Sequence, residues 1–123
     1  MIWFERTAGA LKPYHTILLL EADATEEELV YQILSLVEEI PEGRVATYGQ
    51  LARLIGREKN SRLVGSVLSR AELYGSYPCH RVVNHCGRTA PGWPEQAELL
   101  RREGVPLDSH GRVDLRLYQW DCR

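Results

Sequence analysis

A mostly α fold with a small β element, organised around a helix-turn-helix in a winged-helix-like arrangement, is what this sequence predicts. Three observations carry that expectation. Apolar residues recur at helical spacing between Leu29 and Ile40. Two short apolar-faced segments follow, each opened by its own capping residue and separated by a tight polar turn with a glycine. Only brief stretches near Val82 and Val113 run apolar or alternate as strands do.

The elements follow in order. Residues 1–24 mix aromatics (Trp3, Phe4, Tyr14) with a β-prone run at Thr16 to Leu20, and are read as a short N-terminal arm before a domain spanning 25–123. Thr25 and Glu28 form a capping box, and Glu26 and Glu27 suit the positive end of the helix dipole. Leu29, Val30, Ile33, Leu34, Val37 and Ile40 then make one apolar stripe, ended by Pro41 and Gly43. Thr47 and Gln50 form a second capping box. Leu51, Leu54 and Ile55 give the next helix its apolar face, and Gly56 closes it. Asn60 caps a third helix, about Ser61 to Ala71, with Leu63, Val64, Val67 and Leu68 inward. Arg81 to Val83 reads as a short buried strand, and Asn84 to Arg88 as a turn containing Gly87. Pro94 at the first helical position opens a further helix that Gly104 closes. Gly111 to Trp120 alternates apolar and charged residues, a strand pattern, with Tyr118 and Trp120 packing its end.

The composition narrows the function classes. The chain has 123 residues, 44% of them hydrophobic and 26% charged, which fits one globular domain and argues against global disorder. The longest apolar run, Ile17 to Leu20, is far short of the roughly 20 residues a membrane helix needs. No basic stretch leads into an apolar one at the N-terminus, so a cytoplasmic location is expected. Cys79, Cys86 and Cys122 are too few for a disulfide scaffold and are expected as free thiols. Charge is distributed unevenly. Glu21 to Gly43 holds eight acids and no bases, whereas Arg44 to Arg102 holds ten bases against four acids, a local +6. That asymmetry permits a nucleic-acid partner without requiring one.

Chemistry concentrates in Pro78-Cys79-His80-Arg81-Val82-Val83. A cysteine flanked by a histidine and an arginine is expected in a cationic neighbourhood, which lowers a thiol pKa. Neighbours on an extended chain point opposite ways, so a water could relay the proton from Cys79 to His80. Glu103 or Glu98 could orient the imidazole. The plainer reading makes Cys79 a small buried hydrophobe. Cys79, His80, His85 and Cys86 are four soft ligands in eight residues, but they lack the separated pairs of a zinc site, so no metal is expected. His15 and His110 read as surface or capping residues, and Cys122 as inert.

Four stretches taken together resemble the DNA-binding domain of the O6-alkylguanine-DNA alkyltransferases. They are Ile40-Pro-Glu-Gly-Arg-Val-Ala-Thr-Tyr-Gly-Gln-Leu-Ala, Asn60-Ser-Arg-Leu-Val-Gly, Pro78-Cys-His-Arg-Val-Val-Asn and Leu99-Leu-Arg-Arg-Glu-Gly, spanning roughly residues 25–105. The resemblance implies a catalytic set of Cys79 as alkyl acceptor, His80 as the base acting through a water, and Glu103 as the carboxylate holding the histidine. It implies that Tyr48 contacts DNA beside the flipped base and can donate a proton to the leaving guanine. Arg62 would fill the vacated stack, and Gly65 and Ser66 would let the recognition helix enter the minor groove. Arg53, Lys59 and Arg81 complete the expected DNA contacts, and Tyr48, Pro78, Val82 and Trp93 the expected lesion pocket. The implied reaction needs no cofactor, and its thioether product makes each molecule act once. The implied partner is double-stranded DNA containing O6-alkylguanine. One flipped base needs one copy, so a monomer is expected.

The sequence departs from that pattern in three places. Ala71 stands where the family has an asparagine, the loop after the cysteine is Arg88-Thr-Ala-Pro-Gly-Trp-Pro, and about 24 residues replace the usual N-terminal domain. These departures resemble the alkyltransferase-like proteins. Those single domains bind O6-alkylguanine without transferring it, usually carry tryptophan at the cysteine position, and flag the lesion to nucleotide excision repair proteins. The chain thus combines a sensor's body with a transferase's nucleophile. A transcription regulator would need the helix-turn-helix but has no use for Pro-Cys-His-Arg, and would prefer a sequence over a lesion. A thiol redox sensor using Cys79 and Cys86 would form a reversible disulfide.

Overall fold

The computed structural model describes residues 26–121. The β-prone run at Thr16 to Leu20, the Thr25 half of the first capping box, His15 and Cys122 lie outside them. Helix α1 (Glu26–Glu39) leads to a two-residue strand β1 (Ala46–Thr47), helix α2 (Tyr48–Leu54) and helix α3 (Ser61–Ser69). Two 3-10 turns follow at Ala71–Leu73 and Cys79–Arg81, then strand β2 (Val82–Val83), helix α4 (Glu95–Arg102) and a single helical turn α5 (Leu115–Tyr118). Among the described residues no helix is long and apolar enough to cross a membrane.

The helix-turn-helix forms where the capping residues place it. Thr47 accepts from the Gln50 N–H at 3.0 Å while the Gln50 side chain accepts from the Thr47 N–H at 3.3 Å, closing a reciprocal box at the start of α2. Past Leu54 the chain turns at Gly56, whose φ of +77° is costly for any residue with a Cβ. Asn60 Oδ1 then accepts from the Leu63 N–H at 3.2 Å and starts α3. α3 packs on both α2 and α1. Burial selects Leu51 and Ala52 from α2 and Val64 and Val67 from α3. Leu54, expected on the apolar face, is 40% exposed, because in so short a helix the stripe leaves the core one turn after Leu51. α3 ends at Ser69, two residues before the expected Ala71, and the chain tightens into a 3-10 turn.

β1 and β2 pair in parallel, Ala46 with Val82 and Thr47 with Val83. Alternation along the two strands divides the interior. Ala46 and Val82 face a cluster built from α1, α2 and α3, whereas Val45 and Val83 face a second one with Leu100, Val105 and Val113. The expected strand at 81–83 shortens by a residue, since Arg81 belongs to the preceding 3-10 turn. Helix α4 begins at Glu95, with Pro94 as its cap and not its first residue.

The expected strand from Gly111 to Trp120 is only partly one. Leu107 bridges Val113 and Arg88 bridges Arg112, but Leu115–Tyr118 is a helical turn. Asp114 is the cause: its side chain accepts from the Arg116 N–H at 3.0 Å and caps the turn. The alternation consequently fails to bury one face, and Leu117 is 66% exposed. Beyond the turn the chain returns to β1, with the Trp120 N–H donating to the Val45 carbonyl at 2.6 Å. Gly87 is buried against this segment. A Cβ there would meet the Val113 carbonyl oxygen at 2.2 Å, so only glycine fits.

Candidate functional site

The site is assembled by the 3-10 turn that joins α3 to β2. Pro78 caps the turn, and its ring fixes φ at −79°. Cys79 and His80 are consecutive residues of this turn, and they meet different environments. His80 points toward the end of α4, where its Nε2 lies 2.6 Å from Glu103 Oε2. Arg81 reaches the same carboxylate, with Nε at 3.0 and 3.1 Å and an Nη2 contact of 2.8 Å, and its Nη1 donates to the Ile40 carbonyl. The Gly43 N–H adds a third group at 3.2 Å. Glu103 therefore ties together α4, the end of α1 and the reactive turn. Burial alone would raise this carboxyl, but hydrogen bonds from Arg81, His80 and Gly43 outweigh it and bring the pKa down to about 2.

Cys79 faces the other way. It lines a cavity of about 620 Å³ bounded by Leu68, Ala71, Glu72, Tyr77 and Trp93, among others. That volume is of the size that holds a small organic ligand. The thiol is pushed up by burial to about 11, so the expectation of an acidified cysteine fails. The physical reason is burial: the Arg81 guanidinium and His80 Nε2 are both engaged by Glu103, which leaves desolvation of the thiol unopposed. Tyr48, at the start of α2, is half-buried against the same cluster as Cys79. Its phenol is also raised, by burial first and then by the charge of Cys79.

The remaining expected residues separate into two groups. Arg62, at the start of α3, is exposed, as are Arg53 at the end of α2 and Lys59 in the turn between them. Ser66 is exposed on α3, and a Cβ built on Gly65 would meet nothing within 4 Å, so that face is open to close approach. Arg81 was expected to touch DNA; its side chain is 16% exposed and bonded to Glu103 and the Ile40 carbonyl, so it acts as a clamp within the fold. Val82 was expected in the lesion pocket, but it is 0% exposed in the core and paired with Ala46. Trp93 does line the cavity, while Tyr48 and Pro78 lie outside its wall. Among the described residues no three of His, Cys, Asp and Glu converge on a metal-sized site. His85 and Cys86 line a separate cleft formed with the C-terminal segment.

Gln96 was missed. It is 0% exposed, its Nε2 donates to the carbonyls of His80 and Val82 at 3.0 and 2.9 Å, and its Oε1 accepts from the Ala90 N–H at 2.7 Å. It thus joins the reactive turn to the loop that carries Trp93. Its spacing four residues before Leu100, on the buried face of α4, marks a polar residue on an apolar stripe. Glu72, an exposed acid in a turn, also lines the cavity and gives no sequence signal for that placement.

A helix-turn-helix with an open recognition helix, followed at once by a turn that aims a cysteine into a ligand-sized cavity, defines the alkyltransferase type of DNA-binding domain. Residues 28–105 match the family model described as the 6-O-methylguanine DNA methyltransferase, DNA binding domain, and the chain belongs to that family. It is similar to a DNA base-flipping protein of Escherichia coli strain K12, 38% identical over 99 residues that cover 78% of this chain and 77% of that protein. It is also similar to a methylated-DNA–protein-cysteine methyltransferase of Methanosarcina acetivorans, 35% identical over 100 residues that cover 79% of this chain and 62% of that one. The fold matches Atl1 of Schizosaccharomyces pombe, crystallised in complex with damaged DNA containing O6-carboxymethylguanine. The TM-score is 0.72 at 30% identity, over 80% of this chain and 100% of that one.

Proposed function

We propose that this protein binds O6-alkylguanine in duplex DNA, extrudes the base into the cavity beside Cys79, and accepts the alkyl group on that cysteine. The observation that carries the reading is the single turn that presents Cys79 to the cavity and His80 to Glu103. The target atom is hidden in a stacked duplex, so the base must leave the stack at a cost of about a few kcal/mol. Arg62, exposed at the start of α3, would offset part of that by filling the gap. With Nε2 engaged by Glu103, His80 has Nδ1 left to take the thiol proton through a water. The sulfur then bonds to the alkyl carbon, the carbon–O6 bond breaks, and its electron pair leaves with guanine. Tyr48, whose phenol stays protonated, can supply the proton that the guanine takes up. Damaged DNA as partner and the base-flipping step are supported by the similar proteins described above.

A second reading, a lesion sensor that transfers nothing and flags the base for nucleotide excision repair, is favoured by one specific observation. The Cys79 thiol is raised to about 11, so at neutral pH the free protein holds almost no thiolate. Intact-protein mass spectrometry after incubation with an O6-methylguanine duplex separates the two. Transfer adds one methyl group, on Cys79, and Cys79→Ala abolishes the addition while retaining lesion binding. Tight binding with no mass change after long incubation would establish the sensor instead.

A further inference from the structure

Gln96 is a polar residue at a place where packing alone calls for an apolar one. It lies on the buried face of α4 at 0% exposure, where a side chain of the same shape without an amide would fill the space with no polar group to desolvate. Both amide hydrogens and the amide oxygen are engaged. Nε2 donates to the His80 and Val82 carbonyls at 3.0 and 2.9 Å, which fastens the turn of Cys79 and the start of β2 to α4. Oε1 accepts from the Ala90 N–H at 2.7 Å, and the Gln96 backbone N–H donates to the Trp93 carbonyl at 3.1 Å. Both ends of loop 90–93 therefore rest on this one residue, while Pro91 and Gly92 at its tip are exposed. Cys79 and Trp93 stand at the two ends of that link, and both line the same cavity.

We propose that Gln96 is a positioning residue: it sets Trp93 relative to Cys79 and so keeps the cavity in the shape that receives an extruded base. The proposal rests on the lesion-binding reading above and deepens it by naming the residue that holds its cavity formed. An aromatic ring already held in place can meet a base without first being ordered, and ordering it at each binding event would weaken lesion binding about 3- to 10-fold. Phosphate contacts are made elsewhere and carry no lesion preference, so affinity for undamaged DNA is kept.

The test is a double-mutant cycle on lesion discrimination, the ratio of affinities for O6-methylguanine and guanine duplexes of one sequence, read by fluorescence anisotropy. The full chain carries Cys79→Ala throughout, so that no transfer consumes the lesion. Gln96→Met keeps the bulk and removes the side-chain hydrogen bonds. It should lower the ratio about 3- to 10-fold, with affinity for the guanine duplex within about twofold. Trp93→Ala should lower the ratio by at least as much. Adding Gln96→Met to Trp93→Ala should then change it by no more than about twofold, because a residue acting through Trp93 has nothing left to position. If Gln96→Met does not fold, Gln96→Lys runs the same cycle with the same expectation: its ammonium can still donate to the His80 and Val82 carbonyls but offers Ala90 no acceptor. A ratio unchanged by the Gln96 variant or by Trp93→Ala, or a Gln96 effect that persists in full on the Trp93→Ala background, would overturn the positioning role while leaving lesion binding intact. Failure of both Gln96 variants to fold would overturn it too, leaving Gln96 a residue of the core alone. Equal affinity of the starting protein for guanine and O6-methylguanine would overturn the lesion-binding reading itself, and the proposal with it.

Discussion

Cys79 and His80 are consecutive residues of one 3-10 turn, yet they occupy opposite electrostatic surroundings. On the His80 side, one carboxylate gathers a histidine, an arginine and a backbone N–H, and every charge has a partner. On the Cys79 side, the thiol faces a mostly apolar cavity and burial holds it protonated. The positive charge next to Cys79 in sequence therefore positions a base and fixes the turn, and does not acidify the sulfur. If Cys79 accepts the alkyl group, as proposed, the sulfur is protonated in the free protein and its proton leaves through His80 once a lesion has docked.

The largest expected effect comes from breaking the polar side. Glu103→Gln removes the charge that Arg81 is buried against, with side chains only 16% and 12% exposed. Losing one partner of such a pair should cost about 2–4 kcal/mol of folding stability, somewhat less than for a fully buried pair. Urea denaturation would show this, and a loss below about 0.5 kcal/mol would mean that the hub is ornamental to the fold.

The same carboxylate predicts a pH dependence whose sign is fixed. Its pKa in the folded protein, about 2, lies below the ordinary 4.5, so its contribution is complete above pH 4.5 and is lost as pH falls toward 2. Allowing for solvent screening, wild type should lose about 1–3 kcal/mol of stability across that window from this group, and Glu103→Gln should lose correspondingly less. Parallel stability curves for the two proteins would show that Glu103 is not held by this network.

Arg62 and the exposed bases sharpen the comparison from the DNA side. If Arg62 fills the stack, Arg62→Ala should weaken lesion binding by about 1–3 kcal/mol. A fluorescent base analogue opposite the lesion should brighten less with that variant than with wild type. Equal brightening would remove Arg62 from the role. A smaller effect is expected at Arg53 and Lys59, which are exposed around the helix-turn-helix. Each replacement should lower affinity for damaged and undamaged DNA together, leaving the ratio almost unchanged. With about three to five phosphate contacts, affinity against salt should fall with a log–log slope of about −3 to −4.5. A slope near zero would place DNA on another face.

The helix-turn-helix was legible because its signals are local. Thr47, Gln50 and Asn60 cap helices through residues three positions away, and a sequence shows that spacing directly. The Cys79, His80 and Glu103 set was named through family resemblance, and the His80–Glu103 contact spans 23 residues that no local rule could pair. The surroundings of Arg81 and Val82 were hidden for the same reason. Whether Arg81 meets a phosphate or Glu103, and whether Val82 meets a lesion or Ala46, depends on partners far away in the chain. The acidity of Cys79 was misread because adjacency in sequence was taken for adjacency in space. The C-terminal strand failed differently: a local capping residue, Asp114, overrode the alternating pattern around it.

The most direct test of the central claim is the titration of Cys79 itself. With Cys86→Ser and Cys122→Ser in place, the rate of alkylation by iodoacetamide is followed against pH, with intact mass confirming a single modified site. Burial, unopposed because Glu103 engages both Arg81 and His80, predicts a midpoint near 11, well above an ordinary thiol. Glu103→Gln, by releasing His80 and Arg81, should move that midpoint down. A midpoint at or below about 8.5 in the unsubstituted site would show that the neighbouring cations do reach the sulfur, and would contradict the division of the turn into a polar and an apolar side.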